Sequence, residues 1–396
     1  MNIIFPDLDL QLDKLQYGKG TQFDSNKCCL PKTRVKFLDA IMDWVNDPNL
    51  SSPNVLVLFG QAGTGKSSIA NELALRYSRM NRLTTSYFFA RGDSSGREPY
   101  LFFTTLARDL CRIWPAFKVA LWKLIKEKPE LASTYNYTTL VESLLQGPLG
   151  GLFFVGPVFI VIDALDENED ASRKPPPYAG NNNIPFHTAL SQFVSKLPSN
   201  FRILITSRPE TEFEGAFPES SFIRHMKMDD PQLADRVNDD ILIYMRTKIR
   251  AKEDDLGKLV NRAQCLFQWA FVACEYIGRP PPGLNSERCL ANILNSSQQN
   301  GATKELDKLY STVLNQFDMK DPQIRQNFCS IMTQVLGTFE PLSIPSLNNL
   351  RQCMPTRSTD GSDISDVVKH MIAFQRHLIK LDASHCTPPG PPHLFS

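Results

Sequence analysis

Residues 57 to 68 read VLFGQAGTGKSS, a glycine-rich turn between a short apolar run and a stretch with helical spacing. Glycines in such a turn let the backbone wrap tightly and direct several N–H groups at one anion. Gly60 to Ser67 matches the full spacing of the Walker A motif, in the strand–turn–helix context that the motif requires. The stretch therefore predicts a phosphate-binding loop in an α/β fold.

The loop residues have different expected roles toward a nucleotide. Lys66 places a positive charge on the β and γ phosphates, and the Ser67 hydroxyl is a candidate ligand of Mg²⁺. The loop residues expected to bind the nucleotide are Gly60, Gln61, Ala62, Gly63, Thr64, Gly65, Lys66, Ser67 and Ser68.

A second motif, PVFIVIDALDE at 157 to 167, is an apolar run that ends in acidic residues. Asp163 falls at the carboxyl end of this predicted strand, which is the edge where ligands bind in open α/β sheets. Mg²⁺ keeps several waters, so a single carboxylate there suffices and Asp163 is the expected metal ligand. Asp166 and Glu167 are close enough to orient or deprotonate a water beside the γ-phosphate. A solvated acidic loop is the competing interpretation of these two.

The third motif is RILITSRPE, 202 to 210, in which another buried run ends in Thr206, Ser207 and Arg208. If this strand neighbours the other two, Arg208 reaches the γ-phosphate and reports whether it is present. A guanidinium that is always charged and carries several donors suits this task. An arginine that only caps the strand edge is the alternative.

Apolar strands alternate with helical segments from about residue 31 to 230, which predicts a parallel sheet with helices on both faces. After about residue 230 the apolar spacing is helical only. The polar stretch at 167 to 185 is rich in proline and asparagine and is predicted to be a surface insertion.

In this order, FGQAGTGKSS, IDALDE and ITSRPE resemble the NACHT domain of the STAND class of P-loop NTPases, in the form of the fungal NOD-like receptors. RAQCLFQWAFVA resembles that family's lid helix, and VLGTFEPLSIPSLNNL resembles the start of its winged-helix domain. The resemblance implies an N-terminal linker (1–30), a P-loop nucleotide-binding domain (31–230), a helical lid (231–320) and an incomplete winged-helix domain (321–396). No sensor repeats are recognisable, so a truncated receptor is expected.

The resemblance implies a cytoplasmic signalling switch of fungal innate immunity that binds ATP or ADP with Mg²⁺. In such proteins the ADP form is closed, ATP opens the molecule and allows self-association, and hydrolysis resets it. Carried over to this sequence, the implied catalytic residues are Lys66, Asp166, Glu167 and Arg208, and the residues near the adenine are Thr33 and Arg34. The family's lid has glycine where this chain has Cys265, and some members have proline where this chain has Phe267. The lid residues that contact adenine therefore stay open.

Composition narrows the remaining classes of function. The formal net charge of +1 does not favour DNA, RNA or an anionic membrane as a partner. No apolar run approaches the roughly 18 residues of a membrane span. The sequence does not identify a sensor or effector partner.

Three alternatives to the switch are left. A nucleotide-binding module without useful turnover would need the same phosphate loop. A kinase would need a lid with several arginines and an acceptor pocket, whereas the acids after Asp163 favour water as the nucleophile. A DNA-linked ATPase would need a basic stripe or stacking aromatic residues.

Overall fold

The computed structural model describes residues 12–49, 51–90, 98–150, 152, 156–168, 184–209, 215–230, 232, 236–280 and 283–314, with isolated positions at 322, 325 and 329. The chain divides into two compact units, residues 1–240 and 241–396. Most of the predicted insertion at 167–185 lies outside the described residues. So does the predicted winged-helix domain, apart from the three isolated positions.

The first unit contains a five-stranded parallel sheet. Its strands are β1 (Val55–Phe59), β2 (Leu83–Phe88), β3 (Val158–Asp163), β4 (Phe201–Ser207) and β5 (Ile223–Lys227), in the order β2-β3-β4-β1-β5. The first, third and fourth are nearly continuous apolar runs, as expected of strands buried on both faces. The predicted P-loop α/β sheet is confirmed, and β4 lies between the two strands that carry the Walker motifs.

Helices cover both faces of this sheet. Alternate residues of β1 point into two separate cores: Val55, Val57 and Phe59 into one, and Leu56 and Leu58 into the other. The helices of this unit are α1 (Val35–Asn46), α2 (Lys66–Arg79), α3 (Tyr100–Ile113), α4 (Pro115–Glu127), a helical stretch in three parts (Tyr137–Thr139, Leu140–Gln146, Gly147–Leu149) and α5 (Phe186–Val194).

Residues 12–24 run along the outer edge of β2, in the segment expected to be a linker. Leu15 is buried in the sheet's core. The Phe88 N–H of β2 donates to the Thr21 carbonyl at 2.8 Å, and the Phe23 N–H donates to Ser86 Oγ at 3.1 Å. This segment therefore covers the edge strand.

The chain continues as helices: α6 (Val237–Lys248), α7 (Glu253–Ala263), α8 (Phe267–Gly278), α9 (Ser286–Asn295) and α10 (Ala302–Leu314). Among the described helices of the second unit, α8 supplies more buried side chains than any other, and its Trp269 is fully buried. No helix in the described part of the chain is long and apolar enough to cross a bilayer.

Candidate nucleotide-binding site

The phosphate loop connects β1 to the start of α2 at the carboxyl edge of the sheet. The Gly60 N–H donates to the Ser207 carbonyl at 3.2 Å, which ties the loop to β4. Gly63 and Gly65 have φ angles of 76° and 93°, in the left-handed region that glycine adopts without steric cost. A Cβ at Gly60 would lie 2.6 Å from the Met228 side chain. Gly63 and Gly65 are therefore favoured by their backbone conformation, and Gly60 by the closeness of the Met228 side chain.

Lys66 is the first residue of α2, and its side chain is largely buried. Its Nζ donates to the carbonyls of Gly60 at 2.6 Å and Gln61 at 3.1 Å. Burial lowers the pKa of Lys66, while the nearby carboxylates of Asp166 and Asp163 partly oppose this shift. The ammonium is thus held by carbonyls of the loop itself.

The two predicted metal ligands are in contact. Asp163, the buried last residue of β3, accepts hydrogen bonds from Ser67 and from Thr206 Oγ1, the latter at 2.5 Å. Burial raises the pKa of Asp163, and these hydrogen bonds oppose the shift. Mg²⁺ prefers oxygen ligands and keeps several waters. A hydroxyl and a carboxylate in contact beside the phosphate loop fit that requirement.

Thr206 of β4 braces the turn that follows Asp163. Its hydroxyl donates to the Asp163 carboxylate and accepts the Ala164 N–H at 2.9 Å. Ala164 has a φ of 58°, in the left-handed region that a non-glycine residue rarely adopts. Thr206 thus fixes both the carboxylate and the strained backbone beside it.

Asp166 and Glu167 lie in one short 3₁₀ turn, Leu165–Glu167, but differ in environment. Asp166 is buried, and its Oδ1 accepts the Arg208 main-chain N–H at 3.1 Å while Oδ2 lies 3.0 Å from Arg208 Nε. Glu167 is half-buried. The structure therefore brings Asp166 and Arg208 into direct contact across the ends of β3 and β4.

The remaining predicted residues lie around the loop. Gln61, Ala62 and Ser67 are exposed, and Ser68 is half-buried. Thr33 is buried, and its hydroxyl donates to the Leu30 carbonyl at 2.7 Å.

Arg34 is placed against the phosphate loop itself. It is a buried residue with a φ of 58°. Its Nη2 donates to the Thr64 carbonyl at 2.5 Å, and its main-chain N–H donates to Asp240 Oδ2 at 3.0 Å. This geometry gives Arg34 a contact with the backbone of the loop. Its predicted approach to adenine stays a prediction.

Sequence reasoning assigned no site role to Thr206 or Asp240. Thr206 was visible as a polar residue at a strand end, but its partner depends on β4 lying beside β3. Asp240 contacts Arg34 from 206 positions further along the chain, and no local pattern signals such a contact.

The three motifs lie within one family match. Residues 33–208 match the family model described as Nephrocystin 3, N-terminal. The match runs from Thr33 to Arg208, so it includes the phosphate loop and the acidic residues after β3. It supports a NACHT-like P-loop region in this part of the chain. No curated protein matches the chain.

Proposed function

We propose that this chain is an ATP- and ADP-binding switch of the NACHT type, with slow Mg²⁺-dependent ATP hydrolysis. What supports the proposal is the convergence of three chemical groups at one sheet edge. Lys66 follows β1, Asp163 ends β3, and Arg208 follows β4, which lies between them. A phosphate-binding cation, a metal-binding carboxylate and a cation that can test for the terminal phosphate are the parts that such a switch needs.

Each part of the site has a role in the proposal. The loop amides and Lys66 bind the β and γ phosphates, and Ser67 and Asp163 hold the metal. Bound Mg²⁺ would neutralise negative charge on the β and γ phosphate oxygens. Arg208 contacts the γ-phosphate and so distinguishes ATP from ADP. Glu167 accepts a proton from the attacking water.

The switch follows from differential affinity for two conformations. A nucleotide shifts an equilibrium only by the difference in its affinity for the two states. In the proposal, ADP favours a closed form, whereas ATP contacts Arg208, favours an open form and allows self-association. The fungal NOD-like receptor type, the cytoplasmic location and an unidentified sensor or effector partner belong to this proposal.

A nucleotide-binding module without useful turnover is the second candidate. The observation that favours it is the engagement of Asp166 with Arg208. Of the two acids after Asp163, that engagement leaves Glu167 as the one suited to activate water. Turnover then depends on a single half-buried side chain.

Titration calorimetry of the purified chain with Mg·ATP and with Mg·ADP tests the proposal. Lys66→Ala is expected to weaken binding of ATP by about 100-fold, because charge-assisted hydrogen bonds contribute about 1.5–3 kcal/mol each and 1.4 kcal/mol is about tenfold in Kd. Lys258→Ala removes an exposed lysine from α7 and is the matched control. This helix belongs to the second unit (241–396), which is called the helical unit.

Single-turnover hydrolysis then separates the two candidates. The switch predicts hydrolysis above the buffer rate that Glu167→Gln abolishes. Binding of both nucleotides without hydrolysis supports the module. A wild-type chain that binds neither nucleotide contradicts both.

A further inference from the structure

We propose that Asp166 is a positioning residue that aims Arg208 at the γ-phosphate, and that Glu167 alone activates the attacking water. This inference rests on the proposed nucleotide switch. It separates two adjacent carboxylates that the sequence motif treats as equivalent.

Asp166 binds residue 208 through both of its carboxylate oxygens. One carboxylate oxygen accepts the Arg208 main-chain N–H at 3.1 Å, and the other lies 3.0 Å from Nε of the same residue. A carboxylate that contacts both the backbone and the guanidinium of one arginine fixes where the side chain starts and which way its plane faces. Asp166 thus sets the direction of Arg208.

Asp166 and Arg208 differ in their exposure to solvent. The Asp166 side chain is 3% exposed and that of Arg208 is 34% exposed. A general base must come within hydrogen-bond reach of the water that it deprotonates. Asp166 is buried beneath the arginine that it binds, whereas Arg208 is open enough to meet a ligand. Glu167 is the half-buried member of the acidic pair.

Asp166 and Glu167 are consecutive residues of the 3₁₀ turn, Leu165–Glu167. A 3₁₀ helix has about three residues per turn, so consecutive side chains point roughly 120° apart. Neighbouring side chains in such a turn therefore leave the backbone in different directions. Asp166 is the member of the pair that binds Arg208, so the role of base is assigned to Glu167.

The pair also explains how Arg208 stays in place before nucleotide arrives. An arginine held at its main chain and at Nε loses less rotamer freedom when it meets a phosphate. The preference for ATP over ADP therefore depends on both members of the pair. Removal of either one should lower that preference by a similar factor.

The test measures Kd for Mg·ADP and for Mg²⁺ with the non-hydrolysable analogue β,γ-imido-ATP, using the full chain. Asp166→Asn and Arg208→Ala are each expected to reduce the preference for the triphosphate by about tenfold, the effect of one charge-assisted contact. The double variant is expected to show no larger loss than Arg208→Ala alone. Glu167→Gln should leave the preference within about twofold and lower the single-turnover rate by about 100-fold.

The outcomes distinguish this inference from the proposed function. A wild-type chain that binds no nucleotide contradicts both. Normal wild-type binding combined with additive losses in the double variant, or with an unchanged preference in Asp166→Asn, contradicts the inference alone. Should Asp166→Asn fail to fold, a Glu167→Gln variant that hydrolyses ATP at the wild-type rate still overturns the inference.

Discussion

The helical unit and the phosphate loop both bury charged side chains, but they compensate those charges differently. In the helical unit, Arg262 of α7 and Glu305 of α10 have side chains that are 8% and 1% exposed, and Arg262 Nε lies 2.5 Å from Glu305 Oε1. Arg262 also donates to the carbonyls of Ile293 and Ser296. The second oxygen of Glu305 accepts the Gln299 N–H at 2.7 Å.

At the phosphate loop and the adjoining end of β3, the groups that hydrogen-bond to Lys66 and Asp163 are neutral, and the opposite charges nearby offset burial only in part. The Lys66 ammonium donates to two main-chain carbonyls, and the Asp163 carboxylate accepts from two hydroxyls. Burial lowers the pKa of Lys66 and raises the pKa of Asp163, so it favours the uncharged form of each side chain. Such shifts concentrate at functional sites, because a group held ready for a ligand is less well compensated without it. Arg262 and Glu305 are therefore compensated by each other, whereas Lys66 and Asp163 are compensated less completely.

The largest expected effect comes from breaking the buried ion pair of Arg262 and Glu305. Glu305→Gln leaves the buried charge of Arg262 without a counter-ion, so we expect a loss of about 3–5 kcal/mol in the free energy of unfolding. Urea denaturation at pH 7 measures it. The double variant Arg262→Met with Glu305→Leu should recover much of the loss, since apolar side chains replace buried ion pairs well. A loss below about 1 kcal/mol for Glu305→Gln would contradict this account.

Replacing a carboxylate with an amide beside the phosphate loop, at Asp163, is expected to change the free energy of unfolding with the opposite sign. Burial raises the pKa of Asp163, so above that raised pKa the ionised carboxylate lowers the stability of the nucleotide-free protein. Asp163→Asn should therefore raise the free energy of unfolding at pH 7.

The gain from Asp163→Asn should depend on pH. Below the unfolded pKa of about 3.9, the carboxyl is protonated in both states, so the gain should disappear as the pH falls toward that value. A series of urea denaturations between pH 7 and pH 4, without nucleotide, measures this. The variant should also lose the Mg²⁺ dependence of ATP binding. Destabilisation at pH 7 comparable with that of Glu305→Gln would remove the contrast between the two regions.

The smallest effect concerns backbone strain between α7 and α8. Gln264 and Cys265 have φ angles of 46° and 64°. Because Cys265 is exposed, Cys265→Gly is expected to relieve strain and raise the free energy of unfolding by about 0.5–1 kcal/mol, after the entropy of the added glycine is subtracted. Urea denaturation measures it.

Gln264→Gly is the matched control for that strain. It relieves the same kind of strain but removes hydrogen bonds between the Gln264 amide group and the backbone of Gln299 and Gly301. It should therefore give no gain. Equal gains in both variants would show that these side-chain hydrogen bonds contribute nothing.

The parallel sheet was predictable from sequence because each central strand is an apolar run followed by polar residues at a functional edge. Asp163 was expected at the carboxyl end of a strand, and the observed β3, Val158–Asp163, ends at that residue. Strand order was not predictable, since it depends on pairing between distant segments. The contacts of Thr206 with Asp163 and of Asp166 with Arg208 follow from that order, so they were not predictable either.

The segment at residues 12–24 shows a different limit of sequence reasoning. It has neither the two-residue nor the 3.6-residue period that would predict an element. It is attached through single contacts, such as buried Leu15 and the Thr21 carbonyl. An irregular segment of this kind buries one residue at a time and leaves no repeating pattern in the sequence.

That attachment also has a consequence for how the molecule avoids aggregation. An edge strand with unpaired N–H groups is a template for pairing with another chain. The Thr21 carbonyl takes the outward N–H of Phe88, and Ser86 of the same strand is engaged by Phe23. Residues 12–24 thus act as a built-in cover for the open side of β2. A shortened chain that begins beyond them would present a β-strand edge to its neighbours.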